Sequence, residues 1–354
     1  MDAEPVYCWR EDVKAGLDTV ATSRYDTQID RCIVAASRFI DKQMRRVFYP
    51  TIDTRRFDYL DHQYSLPWRL WLDSNELAAP PTQVLSSGID ITAGVLARNG
   101  RGDTTPPYTY LEVDLSTDAT FMAASTYQRA ISVLGPYGFN LAENAGGTIS
   151  AAITSTTQTT ATVSNGTLVG VGAILRVDTE RMIVTERGMA DTGQTSQAVL
   201  PAGAQAVTVP VPDGTQIHQG ETILIDAEKM LVDTVAGNNL IVKRAWDGSA
   251  LAAHNAGTAI YASRQLTLAR GQLGTTAATH SANAPIAVHA APGTIRTLAV
   301  AESMARLGSE RSGYAMAISR GEMTKIGVGL PELWQQALAS YQRKIRVRTA
   351  ARHL

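Results

Sequence analysis

From residue 24 to 46 apolar side chains return every three or four positions. Ile29, Ile33, Ala36, Ile40 and Met44 share one face, while Arg31, Arg38, Asp41, Lys42 and Arg45 fall mostly on the other. This spacing predicts a helix with one buried stripe. Tyr49-Pro50 stops it, because the residue before a proline is pushed out of the helical region. A shorter helix is expected around 10 to 20. From 52 to 135 the pattern changes to strands: Arg55 to Leu60, Gln83 to Ile91, Tyr108 to Val113 and Ala130 to Leu134, with Asn99-Gly100 and Gly135-Pro136 marking turns. Helical spacing returns at 295 to 307, with Val300, Met304 and Leu307 on one side and small residues (Ala299, Ala301, Ala305) that let another helix approach. It returns again from Pro331, where Leu333, Ala337, Tyr341 and Ile345 repeat at every fourth position. Proline suits a first helical position, since its missing N–H would be unpaired there anyway.

Residues 146 to 292 break this pattern. They hold 15 of the 28 glycines and only two aromatics, Trp246 and Tyr261. Short β-branched runs lie between turn signals such as Asn165-Gly166, Asp213-Gly214 and Asp247-Gly248, which predicts an all-β region of short strands. The region also repeats. Gly166-Thr167, Gly172, Leu175 to Asp178, Glu180, Met182 and Val184 return as Gly214-Thr215, Gly220, Ile223 to Asp226, Glu228, Met230 and Val232, all 48 residues later. Leu240, Val242, Arg244, Gly248, Ala252, His254 and Ile260 return as Leu266, Leu268, Arg270, Gly274, Ala278, His280 and Ile286, all 26 residues later. A tandem duplication would give one offset. Two offsets imply that one unit (197–264) sits inside a hairpin loop of the other (146–196 plus 265–292), which an exposed turn tolerates because loop-closure entropy grows slowly with length. Chance likeness among short strands is the alternative, and fixed spacing across each match argues against it. Strand 181–186 should then pair with 265–270, and 229–234 with 239–244.

The chain has 354 residues, enough for two or three units. Its 44% hydrophobic content excludes a disordered class, and a net charge of -1 argues against a dedicated nucleic-acid binder. No apolar run reaches membrane-spanning length, and Met1 to Pro5 lacks the features of a signal peptide, so no membrane association and synthesis in the cytoplasm are expected. Two cysteines, Cys8 and Cys32, fit a reducing compartment and are expected as buried small hydrophobes.

A search for chemistry finds no nucleophile elbow, phosphate loop or zinc-protease helix. His254 and His280 occupy equivalent repeat positions, but neither has a second histidine or a cysteine at ligand spacing. The expectation is a side chain bonding a nearby loop backbone, with no metal. Asp178 and Glu180, like Asp226 and Glu228, alternate along a strand and are expected on its solvated face. Arg101-Gly102-Asp103 is expected to be local loop chemistry. No cofactor is indicated. The clearest charge asymmetry is at the end of the chain, where Arg343, Lys344, Arg346, Arg348 and Arg352 stand without an acid. Such a tail could bind an acidic protein, nucleic acid or an anionic lipid surface, or be a frayed helix end whose cations suit the helix dipole.

The flanks resemble the head-tail connector (adaptor) proteins of tailed bacteriophages. The resemblance rests on Ile29-Asp30-Arg31-Cys32-Ile33-Val34-Ala35-Ala36-Ser37-Arg38-Phe39-Ile40-Asp41 running into Arg46-Val47-Phe48-Tyr49-Pro50, on Arg55 to Tyr59, on Tyr108 to Asp114, on Ile131 to Gly138, and on the helices at 295–307 and 331–345. It covers 1 to 140 and 293 to 354, and departs from the family where Pro136 replaces an aromatic. It implies an α+β fold: a helical connector body (1–145 and 293–354) interrupted by the inserted β module (146–292). It also implies a structural, non-enzymatic role in the virion neck. Copies would form a homo-oligomeric ring, twelve-fold in that family, seated on the portal protein above and a neck or tail-completion protein below. DNA would pass through the channel without sequence recognition. Tyr341, Arg343, Lys344, Ile345, Arg346, Arg348 and Arg352 would engage the portal. The alternative is a surface-binding protein whose repeated β units recognise a glycan or capsid; the shortage of aromatics there, leaving Trp246 for stacking, argues against it.

Overall fold

The computed structural model describes residues 3–17, 23–59, 66–100, 105–123, 125–311 and 329–343. Two helices open the chain, α1 (Arg10–Leu17) and α2 (Asp26–Met44). The predicted stripe of α2 is real: Ile29, Ile33, Ala36, Ile40 and Met44 are all fully buried. Seven strands follow: β1 (Thr51–Phe57), β2 (Arg69–Trp71), β3 (Gln83–Ser86), β4 (Ile89–Asp90), β5 (Val95–Arg98), β6 (Tyr110–Val113) and β7 (Ile131–Tyr137). The β module contributes β8 (Glu143–Thr148), β9 (Thr160–Thr162), β10 (Ile174–Val177), β11 (Glu180–Thr195), β12 (Thr208–Pro210), β13 (Thr222–Ile225), β14 (Glu228–Ala236), β15 (Asn239–Lys243), β16 (Ala259–Ala269) and β17 (Pro285–His289). Helices α3 (Gly293–Arg311) and α4 (Leu330–Tyr341) follow.

The expected helical body with a β insertion is therefore corrected. Among the described residues strand accounts for 34% and helix for 24%, and the sheets are large and antiparallel. The α2 stripe is present, but α3 buries Ile295, Leu298, Ala299, Ser303 and Leu307 rather than a face through Val300 and Met304, and the segment between the helices builds its own sheets around its own core. One sheet runs β1-β7-β3-β4 and another β2-β6-β5, and Leu70, Leu72, Leu77, Val84, Leu111, Ile131 and Val133 pack together as their core. Gly135-Pro136, expected as a turn, lies inside β7. Proline is tolerated there because β3 reaches no further along β7 than Gln83↔Leu134, so no ladder bond needs its missing N–H.

The chain forms two compact units. One collects Met1–Arg38, Glu143–His289 and Gly293–Leu330, and the other Phe39–Ala142, Ala290–Pro292 and Pro331–Leu354. The β module thus shares a unit with α1, α3 and most of α2, rather than standing apart from both helical flanks. Polar contacts bind α1 to it. Glu11 accepts the Val171 amide at 2.8 Å and Arg187 at 3.1 Å, and Lys14 bridges Asp26 and Asp247.

Pairing within the module follows the nested order. Ile183, Val184 and Glu186 of β11 pair with Ala269, Leu268 and Thr267 of β16, across the whole inserted unit. Leu231 and Val232 pair with Lys243 and Val242 in a tight hairpin. In the outer unit β8, β17, β10, β11, β16 and β9 pair in succession, and the bridge Ile149↔Val163 closes the circle. Val163, Leu175, Met182, Val184, Leu266 and Ile286 fill it. In the inner unit β12, β15, β14, β13, the first half of β16 and the second half of β11 make the equivalent circle, around Val209, Ile223, Met230, Val232, Leu240 and Ile260. Each long strand serves both barrels, and β11 changes register at bulges that redirect it.

Candidate functional site

The repeat carries a charged cluster in duplicate. In the outer barrel the turn after β10 places Asp178 in the left-handed region (φ 52°), which a short acidic side chain tolerates, and β11 opens on Glu180. Arg270, just beyond β16, grips Glu180 with two parallel bonds of 2.8 Å. The Gly271 and Ala278 amides donate to the same carboxylate at 2.8 and 2.9 Å. His280 lies between the acids, 2.8 Å from Asp178 Oδ2 through Nδ1 and 2.8 Å from Glu180 Oε2 through Nε2. The inner barrel repeats every contact. Arg244 grips Glu228 at 2.8 and 2.8 Å, and the Ala245 and Ala252 amides donate at 2.8 and 3.0 Å. His254 spans Asp226 and Glu228 at 2.7 and 3.0 Å.

Glu180 and Glu228 are 0% exposed, so the expectation that these acids lie on a solvated face is corrected for both. Only Asp178 and Asp226 reach solvent. The histidine side chains bond carboxylates rather than a loop backbone. Burial works against the Glu180 and Glu228 anions, but the arginine, histidine and amide hydrogen bonds together overcome it and hold both carboxyls down at about 2. The buried glutamate and histidine side chains bond other members of the cluster, and the arginines also donate to the loop carbonyls of Ala206 and Gln158. The arrangement locks the β10–β11 and β13–β14 hairpins to distant segments. Among the described residues no group of three or more His, Cys, Asp or Glu is arranged to hold a metal.

The residue after each arginine is left-handed: Gly271 at φ 58° and Ala245 at φ 52°. A Cβ is disfavoured there, so Ala245→Gly should raise the stability of the inner barrel by about 0.5–1 kcal/mol, the relief of strain exceeding the added chain entropy. A lower urea midpoint for this variant would refute the strain.

The predicted C-terminal contact residues are only partly within the described chain. Tyr341 ends α4 edge-on to Phe48 (5.8 Å) and Phe139 (5.6 Å), which themselves meet at 5.3 Å. The Arg343 amide donates to the Met44 carbonyl, and its guanidinium donates to the Asp73 carbonyl. Nearby, Arg46 pairs with Glu76 at 3.1 Å. Burial pushes the Glu76 carboxyl above its ordinary range, partly offset by Arg46 and Arg343. Both ends of the tail's root are thus held by the body. Lys344, Ile345, Arg346, Arg348 and Arg352 lie outside the described residues, as do Arg101, Gly102 and Asp103. The chain matches no family model, no curated protein and no solved structure. Cys8 and Cys32 are both buried; burial pushes the Cys8 thiol up to about 12 and raises that of Cys32. No described helix is long and apolar enough to cross a membrane.

The buried clusters were missed because a strand pattern reports alternation, not what covers a face. A signal was available: Glu, Arg and His are kept together in both copies, although Arg270 and His280 lie about 90 and 100 residues from Glu180.

Proposed function

We propose that this chain is a structural head-tail connector of a tailed phage. It forms a homo-oligomeric ring in the virion neck, beneath the portal protein and above a neck or tail-completion protein, and DNA passes through the ring without sequence recognition. It catalyses no reaction. The observation that best supports this reading is the meeting, in one compact unit, of segments that carry the family resemblance but lie far apart in the chain. The aromatic-proline end of the second helix (Phe48), the segment after β7 (Phe139) and the end of the last helix (Tyr341) form one aromatic cluster. The basic tail leaves from that cluster, and its arginines would form charge-assisted hydrogen bonds in an acidic groove on the portal.

Electron microscopy of the purified chain, alone and with portal, should show rings. A persistent monomer under both conditions overturns the reading. Because Arg343 is bound to the body, a truncation that removes Lys344 to Leu354 isolates the tail. It should abolish attachment to DNA-free portal while the fold is kept, and added salt should weaken attachment of the intact chain. Attachment equal to that of the full chain would show that the tail is not the docking element.

A further inference from the structure

The two barrels correspond strand for strand, and the correspondence fixes where one enters the other. The β14–β15 hairpin of the inner barrel closes on the pair Ala236↔Asn239, with Gly237 and Asn238 as its tip. The offsets of the repeat carry that pair onto Gly188↔Gln265, which is itself a pair in the outer barrel. Residues 189–264 therefore stand in the outer barrel where the inner one has two residues.

The packing beneath the two positions is matched as well. In the inner barrel the Gly214 amide donates to Asn238 Oδ1 at 3.1 Å, and the Val211 amide donates to the Asn238 carbonyl. In the outer barrel the Gly166 amide donates instead to Glu221 Oε1 at 3.0 Å, and the Val163 amide to the Arg264 carbonyl. Glu221 belongs to the insert and is itself gripped by Arg264 at 2.7 Å. A Cβ on Gly214 would meet the Gly237 carbonyl oxygen at 2.0 Å, and one on Gly166 the Ser263 carbonyl oxygen at 2.4 Å. The chain thus crosses each glycine too closely for a Cβ. The inserted barrel rebuilds, with its Glu221–Arg264 pair, the support that one asparagine gives in the bare hairpin.

We propose that the Gly237–Asn238 tip is the growth point of this module: it accepts a further barrel as the outer hairpin accepts the present one, so that the module lengthens by whole barrels. All four residues from Ala236 to Asn239 are exposed, and the closure cost of a longer loop rises slowly with its length. What makes the site specific is that the pair at its base and the glycine beneath it correspond to Gly188↔Gln265 and Gly166, where the outer barrel carries the inner one.

Two reciprocal full-length variants test this. One replaces Gly237 and Asn238 by a second copy of residues 189–264. The other replaces residues 189–264 by the dipeptide Gly-Asn, restoring a bare tip that can cap Gly166. A control places the same copy between Asp226 and Ala227, another tight hairpin turn, where it would separate the acids that hold His254. Both reciprocal variants should unfold cooperatively, with midpoints within about 5 °C of the parent. Their hydrodynamic radii should be larger and smaller than the parent's, respectively, and the control should be unfolded. Loss of the β spectrum in either reciprocal variant overturns the proposal, and so does a control that folds as well as they do.

Discussion

Arg244→Met should lower the stability of the inner barrel by about 3–5 kcal/mol, and Arg270→Met should do the same to the outer one. Methionine keeps much of the arginine's apolar volume but removes the guanidinium. Glu228 or Glu180 then stays buried at 0% exposure with its main countercharge gone. Each arginine also donates to loop carbonyls, Arg244 to Ala206 at 3.0 Å and Arg270 to Gln158 at 2.6 Å, so those acceptors are orphaned too. Arg31, 69% exposed beside Glu310, provides the contrast: Arg31→Met should cost less than about 1 kcal/mol. Urea unfolding gives the magnitudes, and hydrogen exchange of the β14–β15 amides locates the Arg244 effect in the inner barrel. A loss for Arg244→Met no larger than that for Arg31→Met would show that the buried pair contributes little.

Acid should unfold the β module early. The Glu180 and Glu228 carboxyls are held at about 2, whereas in the unfolded chain they bind a proton near the ordinary carboxylate value of about 4.3. Their contribution is therefore complete above about pH 4.5 and disappears as the pH falls toward 2, because the unfolded chain takes up the proton first. Each carboxylate contributes on the order of 3 kcal/mol. Glu221, held low by Arg264 and by amide hydrogen bonds against the effect of its burial, acts in the same direction. Urea midpoints at pH 7, 5, 4 and 3 should stay level and then drop. Glu180→Gln with Glu228→Gln should start lower and respond less to acid. A midpoint unchanged from pH 7 to pH 3 would contradict the account.

Local pattern determined much of the fold. Period placed the stripe of α2, and the proline preference placed the start of α4 to within one residue. The two repeat offsets determined which strands pair in the β module, because an insertion into a hairpin leaves the flanking sequence intact and the pairing partners merely move apart. The same arithmetic did not reach the charged clusters. Glu180 and Glu228 look like surface acids in a strand pattern, and their burial depends on arginines and histidines that only the closed barrel brings within hydrogen-bond distance. Likewise Glu11 and Lys14 look like the polar face of a short helix. The tertiary structure turns them onto Val171, Arg187 and Asp247, and so assigns α1 to the β module. Hydrophobic periodicity records which side of an element avoids water, whereas a polar residue's fate is set by the partners that chain closure delivers, and those partners lie beyond the range of any local pattern.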